Sequence, residues 1–154
     1  MRPTARAAGR DHGSATIEFV AIGVVLLTPL MYIVLALSRV QAASFAADSS
    51  ARAAARAFVT AADDNDARRR AAIAVRFGLL DQGFTNPEDG ELTFECETPR
   101  ACLTPGSEVR VLVQVRVVLP GVPHFLDRTF STGITVRAGQ VAVVDEFRAL
   151  GAEP

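Results

Sequence analysis

The sequence has few of the residues that catalysis and metal binding require. Its 154 residues include two histidines, His12 and His124, which lie far apart in the chain, and two cysteines. It also lacks a G-x-S-x-G nucleophile motif, a P-loop, an H-E-x-x-H metal motif and a glycine-rich nucleotide fingerprint. These absences predict a protein that is not an enzyme, that holds no metal or cofactor and that takes no small-molecule substrate.

Lysine is also absent, so all sixteen basic residues are arginines. The arginines are interspersed with acidic residues, and the formal net charge of the chain is −1. A nucleic-acid-binding surface needs clustered positive charge, so this distribution argues against a nucleic-acid partner.

Charge is missing from one long run, which extends from Phe19 to Ser38. A helix of about 20 residues spans roughly 30 Å, the thickness of a bilayer's hydrocarbon core. A core helix of a soluble domain would show a polar stripe, and this run has none. The run therefore predicts a transmembrane helix, in which Pro29 is tolerated because membrane helices accommodate such kinks.

The flanks of the run bear on its orientation. Three arginines precede it, at Arg2, Arg6 and Arg10. This bias predicts a cytoplasmic N-terminus. The alternative is a cleaved secretory signal, cut near Ser38 or Ala43. The apolar run is longer than the 7–15 residues usual for such a signal and leads directly into a helix-forming stretch, so we favour a membrane anchor.

Two helices are predicted before the sequence turns to strands. Val40–Ala62 is rich in alanine, which favours continuation of the membrane helix to a total of about 45 residues. The acidic cluster Asp63–Asp66 then predicts a break and the N-cap of a second helix. That helix carries an apolar stripe at Ile73, Phe77 and Leu80 and an arginine-rich patch at residues 68–70, which we interpret as a solvated face.

Alternating residues after Gly83 predict an antiparallel sheet with one covered face. The predicted strands are Glu91–Cys96 and Glu108–Leu119, and the second strand places its valines at 109, 111, 113, 115 and 117 on one face. Residues 120–126 predict a proline-rich loop. Residues 128–138 are interpreted as one bent strand or two, and residues 139–147 as an edge strand. The predicted fold class is therefore α+β, with the second helix covering the valine face.

The two cysteines, Cys96 and Cys102, are separated by five residues. The first closes a strand and the second precedes the turn into the next strand, so a hairpin would bring them close enough for a disulfide. An oxidising exterior would favour that bond. The alternative is a pair of buried free thiols. The spacing of the cysteines and the distance between the two histidines argue against a zinc site.

Glu18 is the acid at the start of the uncharged run. It is the fifth residue after Gly13, so a peptidase that cuts after Gly13 would expose a new amine on Ser14 and leave an acid at position five. This arrangement resembles the cleavage site of type IV prepilins and pseudopilins. More closely, the segment resembles the N-terminal signature of TadE-like proteins of tight-adherence (Flp-type) pilus systems. The matching residues are Gly13, Ser14, Ala15, Glu18, Phe19 and Pro29.

The resemblance covers residues 9–62 and implies a function and a layout. The layout is a leader at 1–13, a transmembrane helix at 14–38, an alanine-rich helical region at 39–82 and an extracytoplasmic antiparallel β domain at 83–154. The implied function is a minor pilin, pseudopilin or assembly component in the cell membrane. Its implied partners are a prepilin peptidase, other pilus subunits and the inner-membrane assembly platform. The alternative is a membrane-tethered extracytoplasmic binding domain that never joins a filament.

Two interpretations of Glu18 stay open at the sequence level. It is either an interfacial acid at a helix start, favoured by the helix dipole, or the partner of the new Ser14 amine of a neighbouring subunit. In the second interpretation subunits pack through small residues four apart. The candidate pairs are Ala42 and Ala46, Ala43 and Ala47, and Ala51 and Ala55.

Overall fold

The computed structural model describes residues 14–86, 90–98, 101–118 and 133–148. It contains two helices, α1 (Ser14–Val59) and α2 (Asp64–Asp81), and three strands, β1 (Gly90–Cys96), β2 (Glu108–Val117) and β3 (Ile134–Val143). The predicted leader, Gly13, both histidines and the predicted proline-rich loop lie outside the described residues. The fold is α+β, as the sequence predicts.

The chain divides into two compact units, Met1–Ala36 and Leu37–Pro154. In the first unit the described residues belong to α1, and their side chains from Ala15 onwards are exposed or half-exposed. Within the described part of the chain, α1 is the one helix long and apolar enough to cross a bilayer. This single apolar helix near the N-terminus indicates single-pass membrane anchoring.

The predicted long helix is confirmed, because α1 runs for 46 residues with Pro29 inside it. The predicted break is confirmed as well. Asp63 is the N-cap of α2, in an extended backbone conformation, and its carboxylate accepts a hydrogen bond from the backbone N–H of Asp66 at 2.8 Å. The Asp66 carboxylate accepts from Arg69 and Arg70 in turn. Capping and the acidic first turn therefore fix where α2 starts.

Small residues pack α1 against α2 in the second unit. A Cβ atom added to Gly78 would overlap the Ser50 hydroxyl, and that hydroxyl donates to the carbonyl of Val75 at 3.5 Å. The alanines of α1 are buried in the same core: Ala43, Ala46, Ala47, Ala51, Ala54 and Ala55. The sequence predicts that alanines four apart on α1 pack between subunits. This expectation is wrong for every alanine of the predicted pairs except Ala42, which is half-buried. They are used within the chain, since small side chains let its own elements approach closely.

The apolar stripe predicted on α2 is not the face that packs into the core. The buried face consists of Ala67, Ala71, Val75 and Leu79, whereas Ile73, Phe77 and Leu80 are exposed. On both faces the apolar residues recur every three or four positions, so spacing alone does not distinguish the faces. The buried face carries Gly78 at the point where α1 lies closest, because a Cβ atom there would overlap the Ser50 hydroxyl.

The sheet is antiparallel in the order β1-β2-β3. All five predicted valines of β2 are buried, as expected from the alternation. The predicted last pair of strands is wrong: β3 is one continuous strand through residues 134–143, and residues 128–132 lie outside the described part. The register places Phe94 opposite Val111 and Val113 opposite Ala138.

The predicted cover of the valine face, α2, is joined there by α1. The ring of Phe58 on α1 lies 4.9 Å, centroid to centroid, from that of Phe94 on β1. Leu79 on α2 lies against Gly90, where a side chain would not fit. The Arg68 guanidinium stacks over Phe94 at 5.3 Å from the ring centroid. The helical layer therefore closes one face of the sheet and leaves the other face in solvent.

Candidate assembly site and disulfide-bonded domain

The predicted processing and assembly residues lie at the start of α1. The described helix begins at Ser14, and Glu18 follows one helical turn later, so the two positions share a face. The side chains of Glu18 and Phe19 are exposed. Within the described residues Glu18 takes part in no ion pair of 4 Å or less. Gly13, on the other side of the predicted cut, lies outside the described residues.

The Glu18 carboxylate needs a partner if it lies within the membrane. An unpaired carboxylate is unfavourable at the edge of a bilayer's apolar region, and at the centre it would cost about 2.5–3.5 kcal/mol. The exposed position of Glu18 on α1 leaves it accessible to a group on another molecule. An ammonium group is the simplest partner that would offset the cost, because it supplies both opposite charge and hydrogen-bond donors.

The predicted disulfide is present in the second unit. Cys96 and Cys102 are joined with a Cα–Cα distance of 5.2 Å, and Cys102 is buried. The bond ties the end of β1 to the loop that leads into β2. Such bonds persist in oxidising compartments, so the disulfide favours an extracytoplasmic location for this unit.

Hydrogen bonds within the disulfide loop and to the residue after β3 also hold the loop in place. The Ser107 hydroxyl donates to the carbonyls of Cys102 and Thr104 at 3.1 and 2.7 Å. Gly106, which has a φ of 77° that favours glycine, donates its N–H to the carbonyl of Val144 at 3.0 Å. The residues just after β3 thus brace the loop that the disulfide closes.

An open concavity of about 720 Å³ lies beside the disulfide on the exposed face of the sheet. Its lining includes Glu95, Glu97, Glu108, Arg110 and Val141. Glu95 forms an ion pair with Arg110 at 3.7 Å. Glu97 and Glu108 form no ion pair with any described residue, so the concavity has an excess of negative charge.

A further contact, which the sequence does not predict, joins Arg148, after β3, to the C-terminal end of α1. The Arg148 guanidinium donates to the carbonyls of Val59 at 3.2 Å, Ala61 at 2.5 Å and Ala62 at 2.7 Å. Carbonyls at a helix C-terminus lack partners within the helix and attract cations. An arginine after the last strand is a visible signal, but its target lies 86–89 residues away, and the sequence gives no indication of that pairing.

Across the described ranges no group of three or more histidine, cysteine, aspartate or glutamate side chains is placed to hold a metal ion. Comparison with protein-family models, curated proteins and solved structures found no match. The described residues do show an apolar helix long enough to span a bilayer, a carboxylate at its start, and a disulfide-bonded unit with an exposed sheet face.

Proposed function

We propose that this chain is a minor pilin, pseudopilin or assembly component of a tight-adherence (Flp-type) pilus system, cut by a prepilin peptidase between Gly13 and Ser14. The observation that carries the proposal is the position of Glu18 on α1, five residues after Gly13 and directly before the uncharged run that ends at Ser38. That helix continues without interruption into a small disulfide-bonded domain. The layout agrees with what the resemblance to TadE-like proteins implies.

The proposed topology has a cytoplasmic N-terminus and places everything after Ser38 outside. Two independent observations support it. The arginines ahead of the apolar run favour retention of the N-terminus in the cytoplasm. The Cys96–Cys102 bond favours an oxidising compartment for the domain.

In the proposed mechanism Glu18 acts after cleavage. The new amine of Ser14 is positively charged near neutral pH, with a reference pKa of about 7.7–8.0. The amine of one subunit pairs with Glu18 of its neighbour, which lets the carboxylate stay in the apolar helix bundle. The partners are the prepilin peptidase, the other pilus subunits and the inner-membrane assembly platform.

Two variants separate cleavage from assembly. Gly13→Leu places a bulky residue before the cut, so the leader should stay attached and the chain should remain longer by thirteen residues. Glu18→Ala makes the segment more apolar, so it should still insert into the membrane but lose association with the other subunits. The measurements are a gel shift for leader removal and co-purification of pilus subunits for assembly.

Asp48→Ala is the matched control for the Glu18 variant, because Asp48 is an exposed acid on the same helix. We expect it to co-purify like the unmodified chain. Normal assembly of Glu18→Ala would refute the pairing mechanism. A chain that keeps Met1 and never joins a filament would instead support the membrane-tethered binding domain.

A further inference from the structure

The exposed face of α2 is an apolar stripe with arginines on both sides. Its apolar residues are Ile73, Phe77 and Leu80, and Phe77 leaves 64% of its surface in solvent. Helical spacing places Arg69 and Arg76 along one side of this stripe and Arg70 along the other. We call these six residues the α2 outer face.

The exposed charge on the α2 outer face is positive. Asp66 pairs with both Arg69 and Arg70, but its side chain is only 11% exposed, whereas theirs are 70% and 53% exposed. Arg76 forms no ion pair with any residue that the structure describes. A partner for the α2 outer face should therefore offer apolar contact and exposed carboxylates.

A surface with those properties exists elsewhere on the same chain. The concavity beside the disulfide is lined by three glutamates and one arginine, with Val141 at its wall and the exposed Val143 next along β3. Two of those glutamates, Glu97 and Glu108, have no ion-pair partner in the described part of the chain. Charge and apolar content are thus complementary between this concavity and the α2 outer face.

One chain cannot bring these two surfaces together. The concavity is on the sheet face that points away from the helices, since Glu95, Arg110 and Val141 are cross-strand neighbours on that side. The α2 outer face points away from the sheet, because the opposite side of α2 forms the core. A contact between the two surfaces must therefore join different copies.

We propose that the α2 outer face of one copy binds the acidic concavity on the sheet of a second copy. The contact is heterologous, so in a pair of copies one keeps an unused concavity and the other keeps an unused α2 outer face. Further copies add through these surfaces, to give a closed ring or an open row according to the rotation between successive copies. It extends the proposed function, on which it rests, by naming the surfaces of the globular unit through which two copies of this chain touch in the assembly.

Photocrosslinking in cells that make the full-length chain tests this contact. Phe77→p-benzoylphenylalanine should give a crosslinked dimer in which the second copy is attached through β1, β2 or β3. The matched control is the same substitution at Phe45, which is 68% exposed but lies on α1. It should give no crosslink to the sheet. Attachment of position 77 to lipid, to a different protein or to α2 of the second copy, or no attachment, would overturn the proposal.

Charge reversal provides the second measurement. Arg76→Glu and Glu108→Arg should each lower the yield of the Phe77 crosslink about tenfold, since each sets like charges against each other. A chain with both changes should recover most of the yield. Disulfide formation on non-reducing gels checks that every variant folds. A double variant as weak as the single variants would refute the pairing of these surfaces.

The outcome for this contact can be told apart from the outcome for the proposed function. If Phe77 reaches the sheet of a second copy while the mature chain begins at Met1, the pilin assignment fails and the contact stands. If the mature chain begins at Ser14 and Phe77 does not reach the sheet, the contact alone fails.

Discussion

The close approach of α1 and α2 at Gly78 makes a quantitative prediction. At an exposed helical site, replacing glycine by alanine stabilises a protein by about 0.8–1 kcal/mol. At position 78 the new methyl would overlap the Ser50 hydroxyl and lie 3.3 Å from the Ser50 Cβ. Overpacking of this kind costs about 1–3 kcal/mol. We therefore expect Gly78→Ala to lower the free energy of unfolding by about 1 kcal/mol.

A double-mutant cycle assigns that loss to the contact itself. Ser50→Ala removes the hydroxyl that the new methyl would meet, so in that background Gly78→Ala should be neutral or stabilising. The coupling energy between the two positions should be about 1–2 kcal/mol. Ala72→Gly is the matched control for helix propensity, because Ala72 is exposed on the same helix, and it should cost about 1 kcal/mol.

The assay must suit a chain without tryptophan, whose one tyrosine, Tyr32, lies in the apolar run. Intrinsic fluorescence therefore does not report on the globular unit. Urea unfolding of the full-length protein in detergent, followed by pulse proteolysis, measures the free energy directly. If Gly78→Ala stabilises the unmodified chain by about 1 kcal/mol, the helices are not in close contact there and the reasoning is refuted.

Three more results are expected from the same structure. Reduction of the Cys96–Cys102 bond, or Cys96→Ser with Cys102→Ser, should lower the free energy of unfolding by about 2 kcal/mol, because the bond closes a short loop of sequence separation 6. Full alkylation of both cysteines in exported protein without reductant would contradict this. Arg148→Ala should lower the free energy of unfolding by about 1–3 kcal/mol in the urea assay, because three carbonyls at the C-terminal end of α1 lose their donor. Arg148→Lys should recover only part of that loss, because one ammonium group lacks the planar set of donors of a guanidinium. An Arg148→Ala chain as stable as the unmodified one would refute the contribution of this contact. A reporter fused after Pro154 should be active outside the cytoplasm, and activity confined to the cytoplasm would overturn the proposed topology.

The elements that the sequence predicts well have strong local signals. The uncharged run and the alanine-rich stretch determine α1, and Asp63 marks the restart of the helix by capping it. Strict alternation of the valines determines β2 and its buried face. The disulfide follows from a hairpin that brings Cys96 and Cys102 together, and local spacing is enough to predict it.

The errors come from tertiary context. Helical spacing of apolar residues favours the stripe that contains Phe77, but the core uses the opposite face of α2, where Gly78 lets α1 approach closely. The alanines of α1 were assigned to contacts between subunits, although the chain's own core uses them. The continuity of β3 depends on pairing along the whole of β2, from Glu108 opposite Val143 to Val117 opposite Ile134. No pattern within residues 134–143 specifies that pairing.

The mature N-terminus tests the central proposal most directly. Mass spectrometry of the chain isolated from the membranes or surface appendages of its own cells should find an N-terminal peptide that begins at Ser14. The same peptide should disappear, and Met1 should return, when the prepilin peptidase is removed. A chain that begins at Met1 in the presence of the peptidase, or one that begins near Ser38 or Ala43, would contradict the assignment of this protein to a pilus system.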